Sequence, residues 1–107
     1  MIFHNSDVFN VGYLSFKGSF KRYTKKYVIL NHSHLLVYKD NSLQKLDENY
    51  LISEIVKAEI EIKKKDFYIN LTLQDKVLRL KGESKGEAED WVKWFGHAKQ
   101  LADIKKI

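Results

Sequence analysis

The apolar residues of this chain change their period once, near residue 84, and that switch constrains the fold more than anything else in the sequence. Up to about residue 82 the pattern repeats every two residues, as in strands with one buried face. Phe67–Leu73, FYINLTL, is the clearest case: Phe67, Ile69, Leu71 and Leu73 face one way, and Tyr68, Asn70 and Thr72 the other. VGYLSFK at 11–17 places Leu14 and Phe16 on one face. TKKYVIL at 24–30 and HLLVYK at 34–39 flank a short polar turn and read as a hairpin. Lys39–Asn49 reads as a polar loop, shorter apolar pieces follow at 50–53 and 55–62, and Gln74-Asp75-Lys76 turns into VLRLK. About seven short strands joined by short connections predict an antiparallel sandwich or barrel, so the fold class is mainly β.

Beyond residue 84 the spacing becomes helical. Ser84-Lys-Gly-Glu87 fits a capping box, in which the serine hydroxyl accepts from the amide three residues on. Acidic Glu87, Glu89 and Asp90 crowd the first turn, and Lys99, Lys105 and Lys106 lie toward the end, as the helix dipole favours. Ala88, Trp91, Val92, Phe95, Lys99 and Ala102 share one stripe of a helix over about 85–104. A small open barrel leaves one end of its core uncovered, and this stripe suits a lid with Trp91 as its deepest side chain. The chain reads as a single domain over 1–107, monomeric in isolation.

Charge is distributed unevenly. Residues 1–45 hold seven basic side chains against two acidic ones, whereas the other 62 residues balance, so the whole net charge of +5 arises in the first part. Lys17, Lys21, Arg22, Lys25 and Lys26 fall within ten residues with no acidic residue among them. Such a localised field attracts phosphates, in nucleic acid or on lipid headgroups. With no cysteine, disulfides and thiolate metal sites are excluded. No apolar run spans a bilayer, and the N-terminus has no signal-peptide pattern, which predicts a cytoplasmic protein.

Three segments, in order, resemble the pleckstrin homology (PH) family. GYL at Gly12–Leu14 is similar to the family's opening G-x-L. YTKKYVIL at Tyr23–Leu30 resembles its W-x-x-[RK]-x-F-V-L second strand, with Tyr23 and Lys26 in the aromatic and basic positions. EAEDWVKWF at Glu87–Phe95 resembles the closing helix with its tryptophan, here Trp91. The resemblance spans about residues 10–104. It implies two near-orthogonal antiparallel sheets, seven strands in all, capped by the helix. It also implies a phosphoinositide site at the open end, formed by loops Gly18–Tyr23, Asp40–Asn49 and Gln74–Lys76. The residues this assigns to the headgroup are Lys17, Lys21, Arg22, Lys26 and Lys45, with Lys25 and Lys76 in a peripheral basic field. Lys26 shares the inward parity of Val28 and Leu30, whereas Lys25 has the opposite one. The family's tight binders carry a basic residue at the end of the first strand and [KR]-x-R on the second. Here those positions are Phe16, Thr24 and Lys26, so the implied binding is moderate and unselective, with a peripheral membrane location. The alternative is a protein-interaction module that binds little lipid.

Other candidate motifs read as structural. Lys63-Lys64-Lys65, flanked by Glu59, Glu61 and Asp66, reads as a solvated hairpin turn at the end of the barrel away from the mouth. His32-Ser-His34 reads as a turn, not a metal site, and Asn70-Leu-Thr72 as a silent sequon. No phosphate loop, nucleophile elbow or catalytic carboxylate pair is present, which predicts a non-enzyme that needs no cofactor. An oligonucleotide-binding barrel would have five strands, no tryptophan lid and basic residues along a strand face. Nucleic acid is therefore not an expected partner.

Overall fold

The computed structural model describes residues 8–105. They form β1 (Val8–Lys17), β2 (Tyr23–Asn31), β3 (His34–Tyr38), β4 (Leu46–Leu51), β5 (Ile55–Lys63), β6 (Asp66–Leu73), β7 (Val77–Gly82) and α1 (Lys85–Lys105). The strands are hydrogen-bonded in the order β4-β3-β2-β1-β7-β6-β5, all neighbours antiparallel. The two sheets of the sequence reading are thus two parts of one continuous sheet. They join at β1 and β7 through only two registered pairs, Ser15 with Lys81 and Phe16 with Leu80.

Three boundaries differ from the expectation. β1 begins at Val8, and Leu46–Asn49, read as loop, belongs to β4. β4 is an edge strand in which only Tyr50 is buried, so its ladder to β3 forms without any apolar alternation to announce it. Ile52–Glu54 is a short 3₁₀ turn, not strand, and it buries Ile52.

Elsewhere the alternation translates directly into burial. Leu14, Val28, Leu30, Ile69, Leu71 and Leu80 are fully buried in one core with Trp91, Phe95 and Ala98. α1 packs mainly on β5 and the 52–54 turn. Its start is fixed as the sequence suggests: the Glu87 amide donates to Ser84 Oγ at 3.2 Å. Phe95, not Trp91, is the most enclosed aromatic of the helix, although Trp91 is only 2% exposed. Lys99 lies beside the buried stripe, where its ammonium meets Asp103 at 2.6 Å, and Ala98 takes the inward place. Among the described residues no helix is long and apolar enough to cross a membrane.

The β2–β3 turn is built by Asn31. Its Oδ1 accepts from the amides of Ser33 at 2.9 Å and His34 at 2.7 Å, closing an Asx turn. His34 Nδ1 is held by Ser33 Oγ at 2.8 Å.

Candidate functional site

The β1–β2 loop is short and tightly wound. The Gly18 amide donates to the Arg22 carbonyl at 2.7 Å, and the Arg22 amide donates to the Ser19 carbonyl at 3.2 Å. Phe20 and Lys21 both take left-handed backbone conformations, with φ of 57° and 61°. For non-glycine residues this costs about 1–2 kcal/mol each. The turn leaves the Phe20 ring 94% exposed among Lys17, Lys21 and Arg22, all exposed as well.

Two grooves open on either side of this loop, because adjacent residues of a strand point to opposite faces. The inner groove, of about 450 Å³, is lined from β1 by Phe16 and Lys17, from β2 by Thr24 and Lys26, from β4 by Glu48 and Tyr50, from the β6–β7 connection by Lys76, and from β7 by Val77, Leu78 and Arg79. This is the open mouth opposite the helix, and Lys26 reaches it with the inward parity of Val28 and Leu30. The Lys26 ammonium, however, is drawn to Asp47 at 3.5 Å, and both side chains are largely covered. Glu48 adds a further negative charge to the wall. Lys76 lies over the Tyr50 ring, 5.2 Å from its centroid. Burial, aided by Glu48, pushes the Tyr50 hydroxyl up to about 12, so it remains a neutral donor at any physiological pH.

The outer groove, of about 570 Å³, is lined by Lys17, Lys21, Tyr23, Lys63, Lys64, Asp66, Tyr68 and Arg79. Its floor is a fixed polar network. Arg79 donates to both carboxylate oxygens of Glu61, at 3.1 and 3.3 Å, to Asn70 Oδ1 at 2.9 Å and to the Tyr23 hydroxyl at 3.2 Å. Its guanidinium lies 4.2 Å from the centroid of the Tyr68 ring. Hydrogen bonds from Arg79 and Asn70 hold the Glu61 carboxyl below the usual carboxylate range.

The structure therefore redistributes the residues that the sequence brought together. Lys17 lines both grooves, Lys26 and Lys76 the inner one, and Lys21 the outer one. Arg22 and Lys45 are exposed and line neither groove. Lys25 points to the outer face, where it meets Glu83 at 2.6 Å and lies over the Tyr13 ring. The Lys63–Lys65 turn contributes to the outer groove and not to the inner one. It is not remote from the basic loop, because Lys63 and Lys64 face Lys17 and Lys21 across the outer groove. The strand order explains this: β7 links β1 to β6, which carries the β5–β6 turn to the same side. Arg79, Tyr23 and Tyr68 were also missed as a group. Tyr68 and Arg79 lie on the polar faces of their strands, but only the β1–β7–β6 order brings them to Tyr23.

A family model for the PH domain matches residues 11–100. Solved structures of the same fold include the PH domain of human KIAA0053 protein, 22% identical, covering 94% of this chain and 95% of that one, with a TM-score of 0.66. They also include the C-terminal PH domain of pleckstrin in complex with D-myo-Ins(1,2,3,5,6)P5, 16% identical, covering 86% and 95%, with a TM-score of 0.76. A third is the PH domain of human oxysterol binding protein-related protein 11, 13% identical, covering 85% and 79%, with a TM-score of 0.74. No curated protein matches the sequence.

Proposed function

The chain belongs to the PH-domain family, and from that premise we propose that it is a non-catalytic module recruited to membranes by phosphoinositide headgroups. The observation that carries this reading is the β1–β2 loop. Lys17, Lys21 and Arg22 stand exposed at its base and tip, and none forms an ion pair among the described residues. Unneutralised cations around a groove of headgroup size favour a multiply phosphorylated anion. The related pleckstrin domain in complex with an inositol polyphosphate supports the same class of ligand. Selectivity is low on this reading. Lys26, the one basic residue in the family's second-strand position, is engaged by Asp47, and a lysine is a point charge where an arginine would form a planar fork.

Sedimentation with vesicles tests this. The protein should pellet with vesicles containing phosphatidylinositol phosphates, more than with neutral ones. Binding should fade as salt shortens the screening length to roughly 3 Å at 1 M. Absence of pelleting at low salt would favour a protein-interaction module instead. One observation supports that second reading: β5 is an edge strand and carries the exposed apolar side chains Val56, Ile60 and Ile62.

A further inference from the structure

We propose that a third groove, between the first half of β1 and the start of α1, docks a short basic peptide segment of a protein partner, which lies extended along β1 and places an arginine on Glu87 and Asp90. This groove shares no lining residue with either basic groove, so the inference does not depend on the membrane reading.

The groove holds about 290 Å³. Residues 10–13 of β1 line one side, Glu83, Glu87 and Asp90 line the other, and Trp91 completes it. Glu83 is spent on Lys25 at 2.6 Å. Glu87 and Asp90 form no ion pair among the described residues. Three positions apart on α1, they share one face of the helix. The helix dipole accounts for acidic residues in a first turn, but not for what lies beside them. Trp91 is 2% exposed, and its Nε1–H donates to no group among the described residues. No side-chain nitrogen or oxygen sealed from solvent is left without a partner there, so this N–H opens on the groove that Trp91 lines. Gly12 leaves it uncovered: a Cβ at that position would lie 3.7 Å from Trp91 Cζ2 and 4.0 Å from Nε1, and a longer side chain would lie over the donor. β1 adds a further vacancy. It is laddered to β7 only at Ser15 and Phe16, so over residues 10–13 the edge turned away from β2 has no strand partner.

Together these features select the occupant. An open N–H on a buried ring takes a carbonyl, an unladdered strand edge takes another extended backbone, and two free carboxylates take a cation. A peptide with a basic side chain supplies all three at once. A metal ion would use the carboxylates and leave the indole and the strand edge unsatisfied. Arginine suits the pair better than lysine, because its planar fork carries donors for two carboxylates where an ammonium is a point charge.

The test titrates the whole chain, labelled with nitrogen-15, with a short peptide of alternating arginine and valine, and with counterparts in which norleucine or glutamate replaces arginine. Trp94→Phe tells the two indole N–H signals apart. The arginine peptide should bind saturably and move the Trp91 indole signal together with the amide signals of residues 10–13. The norleucine and glutamate peptides should bind about tenfold more weakly or worse, because they lack the charge-assisted bonds. Glu87→Gln/Asp90→Asn should weaken the arginine peptide about tenfold or more, as loss of hydrogen bonds to charged groups does. Glu59→Gln/Glu89→Gln removes the same charge at exposed positions outside the groove, and should weaken it by less than about threefold, as exposed charges do. Both double variants are checked for the dispersed spectrum of the folded chain, and if one loses it, the peptide series on the unaltered protein decides. Absence of saturable binding by the arginine peptide would overturn the site. Equal losses from the two double variants would reduce it to a diffuse acidic surface and overturn it as well. A Trp91 signal that stays still while the peptide binds would place the peptide elsewhere. Equal binding of the norleucine peptide would overturn the role of the carboxylates. Vesicle sedimentation tests the membrane reading separately, so the two can fail independently.

Discussion

Glu61 and Arg79 show how one ion pair sets a local pH response. The carboxyl is held below its ordinary range chiefly by the hydrogen bonds from Arg79. Its folded-state value therefore lies under the unfolded value of about 4.3. A depressed acid stabilises the fold above its unfolded value and loses that contribution as pH falls through the folded one. Glu61→Gln should thus lower the denaturant midpoint near neutral pH, and the gap from the unaltered protein should close as the solution is acidified below the carboxylate range. A gap that stays constant with pH would assign the loss to packing instead. Asp47 gives a second expectation at this scale. Asp47→Asn removes the partner of Lys26 and one negative charge from the mouth, at a position that is not part of the core. Vesicle binding should strengthen by up to about fivefold, the equivalent of roughly 1 kcal/mol for one charge near an anionic surface. Unchanged or weaker binding would mean that the pair positions the mouth and does not inhibit it.

The junction between β7 and α1 depends on a glycine. A Cβ added at Gly82 would lie 2.9 Å from Ala88 Cβ, closer than real side chains approach, and 3.2 Å from its Cα. Gly82→Ala should therefore push the first turn of the helix off the sheet and cost about 1–3 kcal/mol, as overpacking does. Ala88→Gly should cost about 1 kcal/mol on its own, as glycine does inside a helix, yet recover part of the loss when combined with Gly82→Ala. Strictly additive losses in urea unfolding would show that the two residues do not meet. The same elements show what was legible beforehand. Where a strand has one buried face, as in β6, or a helix carries a capping serine and an aromatic stripe, burial pattern and sequence pattern are one fact. β4 was read largely as loop because its stability comes from the ladder to β3, which leaves no trace in the order of side chains. Of the candidate site, the loop cations and the inward parity of Lys26 were legible from local spacing. The outer groove was not. Lys63 and Lys64 come from residues more than forty positions away from Lys17 and Lys21, and the turn that carries them looks like any solvated hairpin until the strand order is known.

At the scale of the whole molecule, the sheet ends in two edges, β4 and β5, that do not pair with each other. Its barrel is therefore closed by α1 and not by backbone hydrogen bonds. The helix lies on β5, at one end of the strand order, and on the 52–54 turn that leads from β4 to β5, with lesser contacts to β1, β6 and β7. A lid that only covered the core could fray while the sheet persisted, whereas one packed on an edge strand and on the turn that links it to the other edge should unfold together with the sheet. Trp91, 2% exposed and stacked toward Phe95 with ring centroids 5.6 Å apart, belongs to the core at this closure. Trp91→Ala should cost roughly 3–5 kcal/mol, a large share of the about 5–15 kcal/mol that stabilises a typical domain. The remaining indole, Trp94, offers a probe of whether the loss is shared. It stacks on Phe9 of β1 with ring centroids 5.9 Å apart. In the variant, Trp94 fluorescence and far-ultraviolet circular dichroism should shift to the same lower denaturant midpoint, the mark of a single cooperative unit. If the Trp94 signal is lost first while the strand signal stays at its original midpoint, the helix is a separable cover and the sheet holds its curvature without it.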